Sequence, residues 1–328
     1  MNELAEFAKS IAIGTPEDII HREEDYYRAL SRIVRYRNKE SLTREMMNHI
    51  VNSDRNRILE EKKKADVLLQ NILPEYMIEE LKLRGKGRPI QHENAVVILT
   101  DFVGFSDISR YMSPNELLKE LSIYFDEFEK ICAGHRIEKV KTIGDAFLAV
   151  GGLGGYKRTA KLDSILASLK MMEYTERKKR EKLKSGDDAW GLRIAIHSGT
   201  LIAGVVGHTK IAFDIWGHTV NLASRIENVG EPGKITVSKS IYNDVRDYFD
   251  CTYIGLKELK GVGSHDLYTV DQIKKHLAES GSETAPGNNF KRLYDSLEAG
   301  KHVMFRDGRY HISNPVRPEK NARILLRD

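Results

Sequence analysis

The segment ILTDFVGFS, residues 98–106, ends a short apolar run with an aspartate and then turns at a glycine. The run from Ala95 to Thr100 predicts a buried strand, so Asp101 would stand at the end of that strand. Gly104 permits a tight turn that leads into a helix. A carboxylate in this position can face a cleft, although a lone aspartate is more often a turn former.

The segment KVKTIGDAF, residues 139–147, repeats this arrangement, with Asp145 on a tight turn between two strand-like runs. Hard divalent cations prefer oxygen ligands and keep coordination positions open for substrate phosphates. Asp101 and Asp145, on two separate turns, are therefore candidates to hold two magnesium ions.

The segment FDIWGHTVNLASRIE, residues 213–227, is predicted to be a loop that runs into a helix. Asn221 and Arg225 are four residues apart and would lie on one helix face, a turn from each other. An amide and a guanidinium in this arrangement can reach one ligand and suit a sugar with a phosphate. The alternative for Arg225 is an ordinary surface ion pair with Glu227 or another neighbour.

The residues between and after these segments alternate between helical and strand-like patterns. Helices are predicted at 114–132, 159–184 and 219–228, and strands at 137–141, 147–150, 192–197, 201–206, 234–237, 253–256 and 267–270. Ser198-Gly199-Thr200 separates two of these strands and predicts a hairpin turn. The order of elements indicates an α+β sandwich with one helical face.

The two flanks of this region have different compositions. Residues 1–50 predict a helical segment, and residues 51–90 a helix with a connector that is interrupted at Pro74. Apolar residues recur every seven positions at Val51, Ile58, Ala65 and Ile72, which favours a short parallel coiled coil. The alternative is a helix that packs against its own N-terminal partner. Residues 271–328 form a tail with a predicted helix at 290–297 and a hairpin within 303–312.

Composition and charge narrow the class of protein. The 52 basic and 48 acidic residues leave a net charge of +4, which does not indicate a nucleic-acid partner. The two cysteines, Cys132 and Cys251, argue against a disulfide framework and fit a reducing compartment. No apolar run approaches the roughly 18 residues of a membrane span, so a cytoplasmic location is expected.

Together, the three segments resemble the nucleotide cyclase homology domain of class III adenylate and guanylate cyclases over about residues 91–270. The resemblance lies in the order and spacing of seven polar residues, which are Asp101, Lys141, Asp145, Asp214, Asn221, Arg225 and Lys260. It implies the α+β fold of that family, a ferredoxin-like mixed sheet with helices, and an all-helical N-terminal segment before it.

The resemblance also implies a metal site. Asp101 and Asp145 would bind two Mg²⁺ ions, for which Mn²⁺ can substitute, and the backbone carbonyl of Phe102 would be a further ligand. The ribose 3′-hydroxyl of the nucleotide would attack the α-phosphorus in line, and pyrophosphate would leave.

Three further residues receive substrate-directed roles from the resemblance. Arg225 would stabilise the charge that develops on the α-phosphate, Asn221 would orient the ribose, and Lys260 would hold the terminal phosphates. An arginine that some relatives place shortly before the Asp214 loop is not evident, and Lys210 is a candidate substitute.

Base choice is expected to rest on Lys141 and Asp214. An aspartate can accept a hydrogen bond from the adenine amine, and a lysine can donate one to a ring nitrogen, whereas guanylate cyclases of the family have Glu and Cys at these positions. This pattern predicts an adenylate cyclase that converts ATP to cyclic AMP and pyrophosphate. The alternatives are a guanylate cyclase, another nucleotide enzyme of similar fold, and a catalytically inactive dimerisation module.

In this family the metal aspartates and the remaining site residues come from different domains. A chain with one domain that carries both sets is therefore expected to form a head-to-tail homodimer with two equivalent sites. The N-terminal helices are expected to regulate activity by changing the angle or register of the two catalytic domains.

Overall fold

The computed structural model describes residues 40–70, 72–84, 87–153, 158–207 and 211–314. The chain divides into two compact units, Met1–Asn71 and Ile72–Asp328. Residues 1–39 of the predicted helical segment 1–50, together with Lys210, lie outside the described residues. Within the described ranges, no helix combines the length and the apolar composition needed to cross a membrane. The cytoplasmic location stays a prediction.

The first unit contributes one described helix, α1 (Glu40–Gln70). Val51, Ile58 and Leu68 on this helix are each about 60% exposed or slightly more. The helix therefore presents large apolar side chains to solvent, and the predicted coiled coil stays a prediction.

The second unit alternates helices and strands. Its elements are α2 (Glu75–Arg84), β1 (Ile90–Val103), α3 (Phe105–Ser109), α4 (Pro114–Gly134), β2 (Ile137–Ile143), β3 (Ala146–Gly151), α5 (Ala160–Ser185), β4 (Gly191–Val206), β5 (Ala212–Trp216), α6 (His218–Val229), β6 (Ile235–Ser238), α7 (Lys239–Val245), β7 (Phe249–Leu259), β8 (Gly263–Ile273), α8 (Asn288–Glu298), β9 (His302–Arg306) and β10 (Arg309–Ser313).

The main sheet has the strand order β2-β3-β1-β4-β6-β8-β7, and β5 pairs with β4. The pairing of β4 with β6 is parallel, whereas the other pairings in this sheet are antiparallel. The order β4-β1-β3-β2, with α4 and α5 as the connecting helices, is the ferredoxin-like arrangement. The predicted α+β fold is therefore confirmed.

The two faces of the sheet are covered by different helices. On β4, Ile194 and Ile196 belong to the main core with residues of α4, α5 and α7, whereas Ala195 packs with Leu222 and Ile226 of α6. Successive side chains of a strand point to opposite faces, so α6 covers the face opposite to α4 and α5. The sheet thus has helices on both faces, not on the single face predicted.

The predicted hairpin at Ser198-Gly199-Thr200 is wrong, because residues 191–206 form one continuous strand. This strand pairs with β1 through Ser198 and Gly199 without reversing direction. A Cβ at Gly199 would lie 2.6 Å from Thr219 Oγ1, which is closer than real Cβ contacts. The glycine therefore permits the close approach of α6 and does not form a turn.

The described part of the predicted tail, residues 271–314, packs within the second unit. Phe290 of α8 is 1% exposed and lies 6.0 and 5.8 Å, between ring centroids, from Tyr248 and Phe249. Tyr294 donates a 2.5 Å hydrogen bond to buried Asp163 at the start of α5. The tail helix therefore contributes to the main hydrophobic core.

Candidate active site

Asp101 lies near the carboxyl end of β1, where its side chain is 21% exposed. Gly104, two residues after the strand's last buried side chain, adopts a φ of +83° at the start of α3. This left-handed backbone favours glycine and lets the chain leave the sheet directly after the aspartate. The position agrees with the strand end predicted from the sequence.

Asp145 lies in the two-residue turn between β2 and β3, because Ile143 and Ala146 are register partners. Gly144 supplies the positive φ, +64°, of this turn. Since β3 also pairs with β1, with Phe147 opposite Thr100, the turn lies beside the end of β1. The two aspartates therefore lie at neighbouring ends of paired strands.

The electrostatics of the aspartate pair favour a cation. Burial raises the pKa of Asp145, and the negative charge of Asp101 adds to this rise, while hydrogen bonds from backbone N–H groups oppose it. Among the described residues, no group of three or more His, Cys, Asp or Glu side chains could hold a metal. Mg²⁺ in nucleotide enzymes needs only one or two carboxylates besides phosphates and water, so the donor set fits such an ion.

Phe102 can contribute only its backbone to this site. Its side chain is 2% exposed, and its ring centroid lies 5.0 Å from that of Tyr124 and 5.1 Å from that of Trp190. The aromatic packing anchors the end of β1 and thereby fixes Asp101 next to it.

Arg193 is a site residue that the sequence analysis missed. It is the register partner of Asp101 on β4, and its Nη2 and Nε donate to Asp101 Oδ2 over 2.6 and 3.0 Å. Nε also lies 2.5 Å from Oε1 of Glu227 on α6. The available signal was a single arginine in the otherwise apolar run LRIAI, residues 192–196.

Lys141 and Asp214 form a second polar pair. Lys141 Nζ donates a 2.5 Å hydrogen bond to Asp214 Oδ2, which joins β2 to β5. The two side chains are 43% and 21% exposed, respectively. The structure therefore brings together the two residues predicted to recognise the base, and it neutralises each with the other.

Asn221, Arg225 and Lys260 are all exposed. Asn221 and Arg225 share a face of α6, and Lys260 lies in the turn between β7 and β8. Within the described part of the chain, none of the three forms a hydrogen bond or ion pair with Asp101 or Asp145. Glu227, the suggested surface partner of Arg225, is buried and pairs with Arg193 instead.

A family model described as "Adenylate and Guanylate cyclase catalytic domain" matches residues 88–272, which include Asp101, Asp145, Lys141 and Asp214. The chain belongs to this family. Cyclase catalytic domains act on nucleotides as lyases and use divalent metal ions. The resemblance inferred from the three segments is therefore confirmed.

The most similar curated proteins include guanylate cyclases. Receptor-type guanylate cyclase gcy-13 of Caenorhabditis elegans is 35% identical over 225 residues, which cover 67% of this chain and 22% of that protein. Retinal guanylyl cyclase 1 of Rattus norvegicus is 34% identical over 222 residues, which cover 64% of this chain and 19% of that protein. The chain spans about a fifth of the length of these relatives.

Solved structures give the same family. The guanylate cyclase domain of RhGC from Catenaria anguillulae in complex with GTP has 28% identity and a TM-score of 0.52 over 56% of this chain and 100% of that domain. The catalytic core of a rhodopsin-guanylyl cyclase with converted specificity, in complex with ATPalphaS, has 29% identity and a TM-score of 0.51. The match covers 56% of this chain and 97% of that catalytic core.

These relatives contradict the prediction of an adenylate cyclase, because the curated proteins named above and the solved RhGC domain are guanylate cyclases. The prediction rested on the free hydrogen-bonding capacity of Lys141 and Asp214. In the structure these two side chains bond to each other, so a base would meet a preformed pair and not two separate side chains.

Proposed function

We propose that this chain is a nucleotide cyclase that converts a purine nucleoside triphosphate into a 3′,5′-cyclic nucleotide and pyrophosphate. The observation that carries this proposal is the juxtaposition of Asp101 and Asp145 at adjacent strand ends. The names of the curated relatives favour a guanine nucleotide as the substrate.

Asp101 and Asp145 would hold two divalent ions, with Mg²⁺ as the expected metal and Mn²⁺ as a substitute. Such ions, when bound, lower the pKa of a substrate hydroxyl and neutralise phosphate charge. The chain itself supplies the aspartate oxygens and the Arg193 guanidinium beside them. Because the positively charged Arg193 guanidinium lies beside Asp101, it is suited to contact the triphosphate.

Asn221, Arg225 and Lys260 would act on the substrate from a second copy of the chain. In one chain their exposed side chains form no hydrogen bond or ion pair with the aspartates among the described residues, so a complete site requires another source for them. A head-to-tail homodimer supplies each site with the aspartates of one copy and the α6 residues of the other. Arg225 would then stabilise the α-phosphate, Asn221 the ribose and Lys260 the terminal phosphates.

Lys141 and Asp214 would contact the base. Both side chains are partly exposed, and they carry opposite charges. A planar base with hydrogen-bond donors and acceptors could replace the bond between them with one bond to each side chain. Loss of such a bond at a polar group removed from water costs about 1–3 kcal/mol, so the pair can discriminate between bases.

The test is a chromatographic assay of cyclic nucleotides formed by the purified chain from GTP and, separately, from ATP, with Mg²⁺ or Mn²⁺. Asp145→Asn keeps the size of the side chain but removes its charge, and exposed Asp187→Asn is the matched control. We expect product from the wild type and from Asp187→Asn, and only background from Asp145→Asn. Absence of product from the wild type with either nucleotide and either metal would refute the proposal.

A further inference from the structure

A chain of charged groups leads from the proposed metal site into the protein. Arg193 bridges Asp101 of β1 and Glu227 of α6, so the order is carboxylate, guanidinium, carboxylate. Glu227 is 8% exposed and lies on the buried side of α6 with Leu222 and Ile226. A buried carboxylate is costly unless it is paired, and Arg193 is the partner that the structure provides.

The geometry at Arg193 shows two competing acceptors for one N–H group. Nε carries a single hydrogen, which it donates to Asp101 Oδ2 at 3.0 Å, yet Nε lies closer, at 2.5 Å, to Glu227 Oε1. A cation at Asp101 would compete with Arg193 for the carboxylate oxygens and would repel the guanidinium. The Nε–H group can then turn to Glu227 without a large movement of the side chain.

We propose that Glu227 is a positioning residue that retains the Arg193 guanidinium beside the aspartate pair when Asp101 is engaged by a divalent cation. This inference rests on the proposed function, because it assigns Arg193 to the triphosphate. Without Glu227, a guanidinium released by Asp101 would be repelled from the site and would lose its alignment towards the phosphates. The Glu227 carboxylate therefore acts through Arg193 and does not touch the substrate.

The alternative is that Glu227 only stabilises the fold, and two readouts separate these roles. Thermal unfolding without metal measures the stability of the protein. Calorimetric binding of inorganic tripolyphosphate at a fixed Mn²⁺ concentration measures the phosphate site without a base and without catalysis. Glu227→Gln keeps the shape and removes the charge, and Glu231→Gln, on an exposed residue shortly after α6, is the matched control.

We expect Glu227→Gln to weaken tripolyphosphate binding by about tenfold or more, as for loss of a charge-assisted contact, while Glu231→Gln binds like the wild type. Arg193→Gln should weaken binding similarly, and the double variant should be little worse than either single variant, because the two residues act as one unit. If Glu227→Gln does not fold, Glu227→Asp is tested in its place. This variant retains the charge on a shorter side chain and should weaken tripolyphosphate binding by a smaller factor.

Unchanged affinity in a folded Glu227 variant, or additive losses in the double variant, would overturn the positioning role and leave the proposed function intact. A wild-type chain that neither binds tripolyphosphate nor forms a cyclic nucleotide would overturn both.

Discussion

Lys141 and Asp214 illustrate how much a single hydrogen bond changes the interpretation of two residues. In the sequence they are separate side chains with complementary charges, and in the structure they are partners across β2 and β5. A base that enters this site must replace that bond. The preference between bases therefore depends on the difference in free energy between the hydrogen bonds that each base forms with the pair and the Lys141–Asp214 bond that is lost.

The pair therefore predicts a change in base preference. In Lys141→Glu/Asp214→Cys, the positive donor is replaced by an acceptor, which suits the N–H groups of guanine and not the ring nitrogen of adenine. We expect the ratio of cyclic GMP to cyclic AMP, formed from an equal mixture of GTP and ATP, to rise by about tenfold or more. Exposed Lys119→Glu is the control, and an unchanged ratio in the double variant would show that these residues do not contact the base.

His197 on β4 gives a prediction for the pH dependence of stability. Its Nδ1 lies 2.8 Å from Ser238 Oγ, and burial lowers the pKa of its imidazole from 6.5 to about 4, with smaller contributions from His265, His218 and Lys161. Between these values the unfolded chain binds a proton that the folded chain does not bind. The free energy of unfolding should therefore fall as the pH drops from 6.5 to 4, by at most about 1.4 kcal/mol per pH unit from this one group.

His197→Asn should remove this part of the pH dependence in urea unfolding series at several pH values. His311→Asn, on the exposed side of β10, should leave it unchanged. An identical slope in His197→Asn and in the wild type would contradict the assignment.

At the scale of residues, the sequence predicts the aspartates better than their surroundings. Asp101 follows an apolar run and Asp145 follows Gly144 between two strand-like runs, so the local pattern predicts that both lie at strand ends. Arg193 becomes a site residue only through the register of β1 with β4, in which it lies opposite Asp101 across 92 residues of sequence. Register is set by contacts between distant strands, which a single sequence does not display.

At the scale of elements, one of two turns predicted from local sequence forms and the other does not. Asp307-Gly308 does form a tight turn, with φ values of +51° and +71°. Ser198-Gly199-Thr200 carries a similar composition but remains extended, because pairing with β1 and packing of α6 outweigh the local preference.

The tail helix α8 is expected to be part of the stable core. Phe290→Ala removes a ring that is 1% exposed, and such truncations typically cost about 3–5 kcal/mol of the free energy of unfolding. Phe305→Ala on β9, where the side chain is 36% exposed, is the control and should cost less. If Phe290→Ala left the free energy of unfolding unchanged in urea unfolding, the tail would not be integral to the core.

The apolar positions of α1 predict self-association of the chain. Ile58→Asp places a charge on the seven-residue repeat, whereas Val67→Asp places one on an exposed position outside it. If α1 forms a parallel coiled coil, sedimentation should show weaker dimerisation for Ile58→Asp and little change for Val67→Asp. Equal behaviour of the two variants would argue that α1 packs in another way.

At the scale of the whole molecule, the family and the fold follow from the order of the motifs, but the substrate does not. The curated relatives are guanylate cyclases, so the ATP predicted from two side chains was overturned by comparison. The proposed division of labour within the site is a property of the assembly and not of one chain. One copy of α6 presents Asn221 and Arg225 outward while its other face buries Glu227 towards Arg193.

Mixing two inactive variants tests the shared site most directly. Asp145→Asn and Arg225→Ala should each lose activity by about 10²-fold or more when assayed alone. After exchange of subunits in an equal mixture, half of the dimers contain one complete site, so cyclic nucleotide formation should return to about a quarter of the wild-type rate. No recovery, despite demonstrated subunit exchange, would contradict a site built from two copies of this chain.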